Sequence, residues 1–251
     1  MEIIAKLERS MLTSWPAFSL AFDGDWVIRL ADGHTKRSNS VTCLGADDTD
    51  LEARIDQTVS IYREHRLPTT FRLSPLAPPA LDASLEKRGW RRFDETIVMT
   101  ADLSKVVLDT DVLADKSTRF TVTTTPDPAW IEACRRIDGM GRANVERLER
   151  LLDNMLPPAG FGRIVRDDRI DALALAVLDN DLIGLFEVMT AADQRRRGLA
   201  RILTTGLLRW GRQNGASLGW LAVVADNQPA VRLYQSQGFR EVYRYHYRAE
   251  T

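Results

Sequence analysis

The stretch EVMTAADQRRRGLA, residues 187–200, is the most informative part of the sequence for predicting the fold and the function. It begins as an apolar strand, passes through a short polar turn, and continues into a helix whose first turn holds Gly198 and Ala200. The first N–H groups of such a helix have no partner within it, so they can bind an anion together with the helix dipole. The three arginines Arg195–Arg197 add positive charge at the same place. The stretch therefore predicts a strand–turn–helix unit that binds a pyrophosphate group.

Two common phosphate-binding patterns are absent from the chain. Neither the Walker pattern GxxxxGK[ST] nor the dinucleotide pattern GxGxxG occurs. In the pattern that is present, Gly198 lets the backbone approach a phosphate closely, and the small side chain of Ala200 avoids crowding it. The sequence therefore does not support a P-loop or a Rossmann nucleotide site.

The elements around this stretch predict a mixed β-sheet flanked by helices. Two apolar strands over residues 172–178 and 182–190 are joined by an Asp-Asn-Asp turn, which is typical of a hairpin. Leucines at helical spacing continue the following helix from Gly198 to about Asn214, and Gly215 ends it. The other elements predicted in this half are strands over residues 121–125, 162–166, 219–224 and 241–248, and helices over residues 130–137, 145–155 and 229–237.

The first half of the chain shows a similar, shorter series of elements. Its predicted elements are strands over residues 26–31, 41–44, 70–73 and 96–100, and helices over residues 50–66 and 81–89. From Thr70 onward, the order of elements repeats the order found from Gly219 onward. We therefore predict two related halves, residues 1–115 and 116–251, connected between about Ser104 and Thr118.

A second motif, ADNQPAVRLYQSQGF at residues 225–239, follows the first. It is similar to the N-x-x-A-x-x-L-Y-x-x-x-G-F signature of the GNAT family of acyl-CoA-dependent N-acyltransferases. Arg195-x-x-Gly198-x-Ala200 resembles the same family's (Q/R)xxGx(G/A) pyrophosphate signature. The resemblance covers about residues 120–248. More narrowly, residues 33–40, 71–73 and 245–248 resemble a bacterial subgroup with two tandem GNAT-like halves.

The resemblance implies an α+β fold, in which a central mixed β-sheet is flanked by helices, with a degenerate GNAT-like N-terminal half. It implies acetyl-CoA as co-substrate and a primary amine as acceptor, with the amine attacking the thioester directly. The residues implied in cofactor binding lie at the end of one strand, in the turn and helix after it, and in the second motif: Val188, Met189, Thr190, Arg195, Arg196, Arg197, Gly198, Leu199, Ala200, Asn227 and Tyr234.

Two residues are candidates for catalysis under this resemblance. Tyr234 is the candidate general acid for the CoA sulfur, because a phenol donates a proton or hydrogen bond at neutral pH. Glu187 is the candidate base, acting directly or through water. Structural alternatives stay open for these two residues and for two parts of the cofactor site: Tyr234 as a core aromatic, Glu187 as a solvent-facing side chain, Asn227 as a turn residue, and Arg195–Arg197 as a solvated helix face. Residues 34–40 are expected to form an exposed loop, with a binding role as the alternative.

The first half lacks the pyrophosphate motif. Alignment of Gly89 with Gly238 places Leu85 at the position of Tyr234. We therefore expect the first half to bind no CoA and to pack against the second half, where it helps to shape the acceptor site.

Charge and composition exclude several other classes. The 251 residues carry 34 Lys+Arg and 35 Asp+Glu, a formal net charge of −1, which argues against a general binder of polyanions. Residues 194–222 nevertheless contain six arginines and no acidic residue, which suits a cofactor with several phosphates. Cys43 and Cys134 are predicted as core residues, and the scattered histidines predict no metal centre.

Localisation and partners follow from the same composition. The sequence shows no signal peptide and no apolar stretch long enough to span a bilayer, so we expect a cytoplasmic protein with neither membrane nor nucleic acid as partner. The oligomeric state is left open, with a homodimer as one option. A non-catalytic acyl-CoA-binding sensor is the alternative function. The acceptor pocket is expected near residues 130–158, and its ligand is not specified.

Overall fold

The computed structural model of the protein describes residues 1–107 and 118–250. The helices of these residues are α1 (Glu2–Ser14), α2 (Leu51–Glu64), α3 (Pro79–Lys87), α4 (Pro128–Asp138), α5 (Arg142–Asp153), α6 (Leu199–Gln213) and α7 (Gln228–Ser236). Their strands are β1 (Ser19–Asp23), β2 (Trp26–Leu30), β3 (Val41–Cys43), β4 (Thr70–Leu73), β5 (Arg91–Asp102), β6 (Thr118–Thr123), β7 (Ala159–Arg166), β8 (Arg169–Asp179), β9 (Leu182–Thr190), β10 (Leu218–Val224) and β11 (Arg240–Ala249). The predicted boundary between residues 115 and 116 lies outside the described residues.

The strands form one mixed sheet, ordered β1-β2-β3-β4-β11-β5-β10-β9-β8-β7-β6. Within it, β3 is parallel to β4 and β9 is parallel to β10. The run β1-β2-β3-β4 therefore has the same order and directions as the run β7-β8-β9-β10. The predicted α+β class, a mixed sheet with flanking helices, is confirmed.

In the second half of the chain, helices cover both faces of the sheet, and alternate side chains of β8 pack against them. Leu173, Leu175 and Val177 pack into the core formed with α1, α4 and α5, because alternate residues of a strand point to the same face. The alanines between them face α6. The small side chains on this face let α6 lie close, and a Cβ atom at Gly162 of β7 would lie 2.9 Å from Leu207 of α6. This close packing holds the start of α6 against the sheet.

The two halves exchange their last strands. β11, from the second half, pairs antiparallel with β4 and with β5, which both belong to the first half. β5 in turn pairs with β10 of the second half over seven register positions, from Leu218↔Asp102 to Val224↔Thr96. The centre of the sheet is therefore built from both halves of the sequence.

A buried ion pair joins the exchanged strands to α1. The guanidinium of Arg72 on β4 donates to Glu8 on α1 through Nη1 at 3.1 Å and Nη2 at 2.5 Å. The Tyr243 hydroxyl on β11 donates to the same carboxylate at 2.5 Å. Glu8 and Arg72 are 0% and 1% exposed, and removing one partner of such a pair leaves an uncompensated buried charge. The cluster therefore couples β11 to two elements of the first half.

The sequence prediction missed or shortened several elements. α1 was not predicted, although Leu7 and Met11 lie at helical spacing and pack into the core of the second half. The edge strand β1 was also missed, because its residues are mostly exposed. β5 runs from Arg91 rather than Thr96, since pairing with β11 on one side extends it. β6 begins at Thr118, not at Thr121, because Thr118 pairs with Arg166 of β7.

The described residues were also searched for membrane spans and metal sites. None of their helices combines the length and the apolar character needed to cross a bilayer. No group of three or more metal-ligating side chains occurs among them.

Candidate active site

The site begins where β9 separates from β10. The parallel pairing of these strands runs from Leu218↔Leu182 to Leu221↔Leu185 and then stops. On the other side of β9, the register with β8 shifts between Leu173 and Leu175, and Glu187 has a φ of +49°. A bulge with a left-handed residue bends a strand and releases its ladder hydrogen bonds. Residues 187–190 are therefore free of β10 and line an opening between the two strands.

The turn after β9 forms a concave stretch of backbone at the start of α6. Arg196 and Gly198 both have positive φ values, +65° and +79°, and Gly198 precedes the helix without a side-chain cap. Left-handed residues in such a turn direct successive N–H groups into one concavity, which binds anions. Buried Gln194 and its contact with Arg166 fasten the turn to the sheet. The backbone at Gly198 thus has the left-handed conformation that suits the predicted anion site.

The arginines of this region divide into two groups. Arg195, Arg196 and Arg197 are exposed, and none forms an ion pair with a carboxylate of the described residues. Farther along α6, Arg201 donates to the Ser236 hydroxyl at 2.6 Å and Arg212 donates to the Leu103 carbonyl at 3.3 Å. The three arginines next to Gly198 thus have exposed guanidinium groups without a carboxylate partner among the described residues, and Arg195 donates through Nε to the Thr190 carbonyl at 3.5 Å.

A cleft of about 540 Å³ runs from this turn to α7. Its walls come from β9, the turn, α6, α7 and the end of α4: Ile137, Asp138, Val188, Met189, Thr190, Arg195, Arg196, Ala200, Asn227, Pro229, Ala230, Leu233 and Tyr234. Eight predicted cofactor-binding residues are among them: Val188, Met189, Thr190, Arg195, Arg196, Ala200, Asn227 and Tyr234. Arg197, Gly198 and Leu199 lie in the adjoining turn and helix start rather than in the wall.

Tyr234 and Asn227 reach the cleft from α7. Tyr234 is 7% exposed and packs edge-on against Phe239, 5.9 Å between ring centroids. Its hydroxyl has no hydrogen-bond partner among the described residues, and burial raises the pKa of Tyr234 to about 12, which keeps the phenol protonated at neutral pH. Asn227 caps α7 by accepting from the Ala230 N–H at 3.3 Å. It therefore has a structural role at the turn before the helix, and it also lines the cleft.

A second, smaller pocket of about 180 Å³ adjoins the bulge. Its lining residues come from the β2–β3 loop, α4, the α4–α5 connection, α5 and β9: Gly33, His34, Thr35, Asp138, Met140, Asn144, Leu148 and Glu187. Asp138 belongs to both walls. Glu187 faces this pocket, whereas its neighbour Val188 faces the cleft. We refer to it below as the small pocket.

Residues 34–40, in the β2–β3 loop, were predicted to be exposed; Lys36 is, but the prediction is wrong for most of the segment. His34, Ser38, Asn39 and Ser40 are all buried. The Asn39 side chain accepts from the Ala31 N–H at 2.7 Å and donates to the His34 carbonyl at 2.8 Å. Internal hydrogen bonds of this kind satisfy polar side chains inside the fold, which polarity alone does not reveal.

Glu187 forms an ion pair that the sequence did not predict. Arg37, from the β2–β3 loop, donates to Glu187 Oε1 at 2.7 Å. The Arg37 guanidinium also lies 4.7 Å from the Trp15 ring centroid and 5.6 Å from that of Phe186, where aromatic faces attract a cation. Glu187 is therefore held in a fixed orientation by the first half of the chain.

Comparisons with known proteins agree with this geometry. A family model described as "Probable histone acetyltransferase Rv0428c C-terminal" matches residues 2–248. The chain belongs to this family of GNAT acetyltransferases. An "Uncharacterized N-acetyltransferase YobR" of Bacillus subtilis strain 168 is 28% identical over 253 residues, covering 99% of each chain.

Solved structures of GNAT proteins share the fold along nearly the whole chain. A GCN5-related N-acetyltransferase from Kribbella flavida superposes with a TM-score of 0.76 at 16% identity, covering 99% of this chain and 95% of that one. A tandem GNAT protein from the clavulanic acid biosynthesis pathway superposes with a TM-score of 0.67 at 15% identity, covering 97% and 87%. At these identities the similarity concerns the fold alone. The second of these structures is described as a tandem GNAT protein, the arrangement predicted here from the repeated order of elements.

The GNAT family generally uses acetyl-CoA as its co-substrate, and this cleft is the predicted site for it. The left-handed turn at Gly198 and the exposed arginines, which have no carboxylate partner among the described residues, suit a pyrophosphate. The unpaired edge of β9 offers backbone groups to the amide-containing pantetheine arm. The apolar part of the wall, formed by Val188, Ala230 and Leu233, suits the methylene groups of that arm.

Gly198→Ala is expected to weaken acetyl-CoA binding about tenfold. An L-residue in the left-handed region costs about 1–2 kcal/mol, so the turn relaxes away from its concave form, and 1.4 kcal/mol is about a factor of ten in affinity. Isothermal titration of acetyl-CoA into the two proteins measures the change.

Gly215→Ala is the matched control for this substitution. Gly215 has a φ of +99°, has open space where a Cβ would be placed, as Gly198 does, and follows the opposite end of α6. The two variants should lose similar folding stability, but Gly215→Ala should bind acetyl-CoA normally. Equal losses of affinity in both variants would show that the turn has no specific role.

Proposed function

We propose that this enzyme transfers an acetyl group from acetyl-CoA to a primary amine by direct attack of the amine on the thioester. The observation that carries the proposal is the bulge at Glu187, which opens the β9 edge between two pockets. The cleft on one side has the anion-binding turn and Tyr234, and the small pocket on the other side has acidic residues in its wall.

The cleft residues have distinct roles in this proposal. Arg195–Arg197 and the N–H groups from Gly198 to Ala200 hold the pyrophosphate. The backbone of residues 188–190 pairs with the pantetheine arm and orients the thioester carbonyl. Asn227 fixes the start of α7, which carries Tyr234 into the cleft.

Tyr234 is the proposed general acid. Acetyl-CoA supplies an activated thioester, whose C–S bond breaks as the amine adds. The departing thiolate needs a proton, and the Tyr234 hydroxyl is protonated and not engaged by any described residue. A phenol of pKa about 12 still favours a shared hydrogen bond that neutralises the developing charge on sulfur.

Direct attack agrees with the state of the two cysteines. An acetyl-enzyme intermediate on cysteine needs an accessible thiolate. Cys43 and Cys134 are both 0% exposed, and burial raises the pKa of each, in Cys134 to about 12. Neither thiol therefore suits a covalent relay.

The acceptor is proposed to enter through the small pocket. Asp138 and Glu187 present carboxylates there, which favours a positively charged ammonium group. The role of Glu187 as the base stays a prediction. Its carboxylate forms an ion pair with Arg37. Residues 33–35 supply part of the wall, so we propose that the degenerate first half, residues 1–115, shapes the acceptor site.

Thiol release tests the proposed function. The purified full chain is incubated with acetyl-CoA and a panel of alkylamines, amino acids and lysine-containing peptides. The peptides are included because the matching family is described as a probable histone acetyltransferase. Amine-dependent release of free CoA is expected with at least one class. Saturable acetyl-CoA binding without thiol release in any of them would favour the acyl-CoA sensor instead.

A further inference from the structure

His34 is a buried histidine whose ring nitrogens have no hydrogen-bond partner among the described residues. The residue is 6% exposed, and its Nε2 atom is buried without a partner. Its backbone is fixed, because the His34 N–H donates to the Ala31 carbonyl at 2.8 Å and its carbonyl accepts from Asn39. The imidazole stacks on Trp15, 6.5 Å between centroids, and lines the small pocket. A buried imidazole without a partner requires an explanation, and a polar group of a ligand in this pocket would supply the missing partner.

The charged groups around the imidazole come from four elements. Arg37 lies on its own loop, Arg147 on α5, Asp138 on α4 and Glu187 on β9. Burial, and then the positive charges of Arg147 and Arg37, lower the pKa of His34 below its usual 6.5. The imidazole is therefore neutral at neutral pH, and one ring nitrogen has a lone pair available to accept a proton.

Building on the proposed acetyl transfer, we propose that His34 is the base that takes a proton from the acceptor's ammonium group, which Asp138 and Glu187 hold in the small pocket. The acceptor class is an alkylammonium ion, as at the end of a lysine side chain. The catalytic base thus comes from the half of the chain that has no CoA-binding motif.

The proton balance of this step is complete. The ammonium gives one proton to His34, and the free amine nitrogen then adds to the thioester carbonyl carbon. The C–S bond breaks, and the proton lost by the nitrogen reaches the sulfur through Tyr234. His34 releases its proton to solvent, so an ammonium ion and acetyl-CoA yield the amide, CoA thiol and one proton.

Glu187 is the other group in this pocket that has been considered as a base. Its carboxylate accepts from Arg37 at 2.7 Å, and that arginine lies against Trp15 and Phe186. A carboxylate already paired in this way is suited to hold a cation in place, whereas the unpaired imidazole has a free acceptor. The two residues divide the tasks of holding the amine and removing its proton.

Binding of an alkylammonium ion beside His34 can be tested without acetyl-CoA. In the full chain labelled with ¹³C-histidine, n-butylammonium chloride should shift the His34 imidazole resonance and lower the pH at which it titrates, since a nearby cation disfavours the protonated ring. The resonance of exposed His65 should not move. An unchanged His34 resonance at saturating n-butylammonium would contradict the proposal.

Kinetics of His34→Phe test the role as base. Phenylalanine retains a ring against Trp15 but has no proton acceptor, and His65→Phe is the matched control at an exposed site. With the panel amine of highest turnover, His34→Phe should lower kcat/KM about 100-fold or more, while acetyl-CoA affinity stays within about twofold of the wild type. His65→Phe should behave as the wild type.

The pH profile separates a base from a structural residue. Wild-type kcat/KM should be level above about pH 7.5, because an imidazole whose pKa lies below the usual 6.5 is neutral there. Without the base, the rate should follow the fraction of free amine and climb about tenfold per pH unit between pH 7 and 9, toward the amine's own pKa of about 10. Equal rates and profiles in the two proteins would overturn the role of His34 alone, whereas a wild type that acetylates no amine would overturn the proposed function itself.

Discussion

Residues 116–251 expressed alone should not form a stable fold. In the full chain β11 lies between β4 and β5, so the fragment lacks both strands that pair with it, and β10 loses its partner β5. The fragment also lacks Glu8, the buried acceptor for the Tyr243 hydroxyl. Thermal unfolding followed by circular dichroism should show no cooperative transition, in contrast to the full chain.

The complementary fragment provides the control for this experiment. Mixing residues 1–115 with residues 116–251 during refolding should restore a soluble 1:1 complex, because every strand pair can then form. A fragment of residues 116–251 that unfolds cooperatively and acetylates amines at the rate of the full chain would contradict both the exchanged sheet and the proposed role of the first half in the acceptor site.

Tyr234→Phe should reduce kcat by about 10²–10⁴-fold, the usual contribution of a general acid or base. The hydroxyl that is lost has no partner among the described residues, so its removal disturbs little of the packing against Phe239. Acetyl-CoA affinity should stay within about twofold, because the ring remains in the wall of the cleft. Steady-state kinetics and titration calorimetry on the same samples measure the two quantities.

Tyr62→Phe is the matched control for the tyrosine substitution. The buried Tyr62 hydroxyl donates to the Arg29 carbonyl at 2.8 Å, far along the sheet from the cleft. Its loss should reduce the free energy of unfolding by about 1 kcal/mol with no change in kcat. If Tyr234→Phe loses stability but retains turnover, Tyr234 is a core aromatic and not an acid.

The elements around the cleft were predictable because each depends on nearby residues. Two apolar runs joined by an Asp-Asn-Asp turn indicate β8 and β9, and the leucines indicate α6. Gly198 suits the left-handed turn before that helix. The signature around Tyr234 places this residue on α7, at the cleft. Local periodicity and turn chemistry were sufficient for the strands, the turn and α6, whereas the role expected of Tyr234 came from the resemblance to the GNAT signature.

The acceptor side was less predictable because distant residues build it. The pairing of Arg37 with Glu187 joins positions 150 residues apart, and no local pattern encodes such a contact. The polar run at residues 33–40 suggested an exposed loop, whereas the Asn39 side chain satisfies backbone groups inside it. The strand exchange likewise depends on which strands meet in the sheet, which the order of elements alone does not specify.

Transfer of a labelled acetyl group tests the central claim most directly. The full chain is incubated with [¹³C]acetyl-CoA and an accepted amine from the panel, and both protein and amine are analysed by mass spectrometry while free thiol is quantified. Direct transfer predicts one labelled amide for each CoA released and no label on Cys43, Cys134 or any other residue at early times. A labelled protein that passes its acetyl group to the amine, or CoA release without labelled amide, would contradict the account.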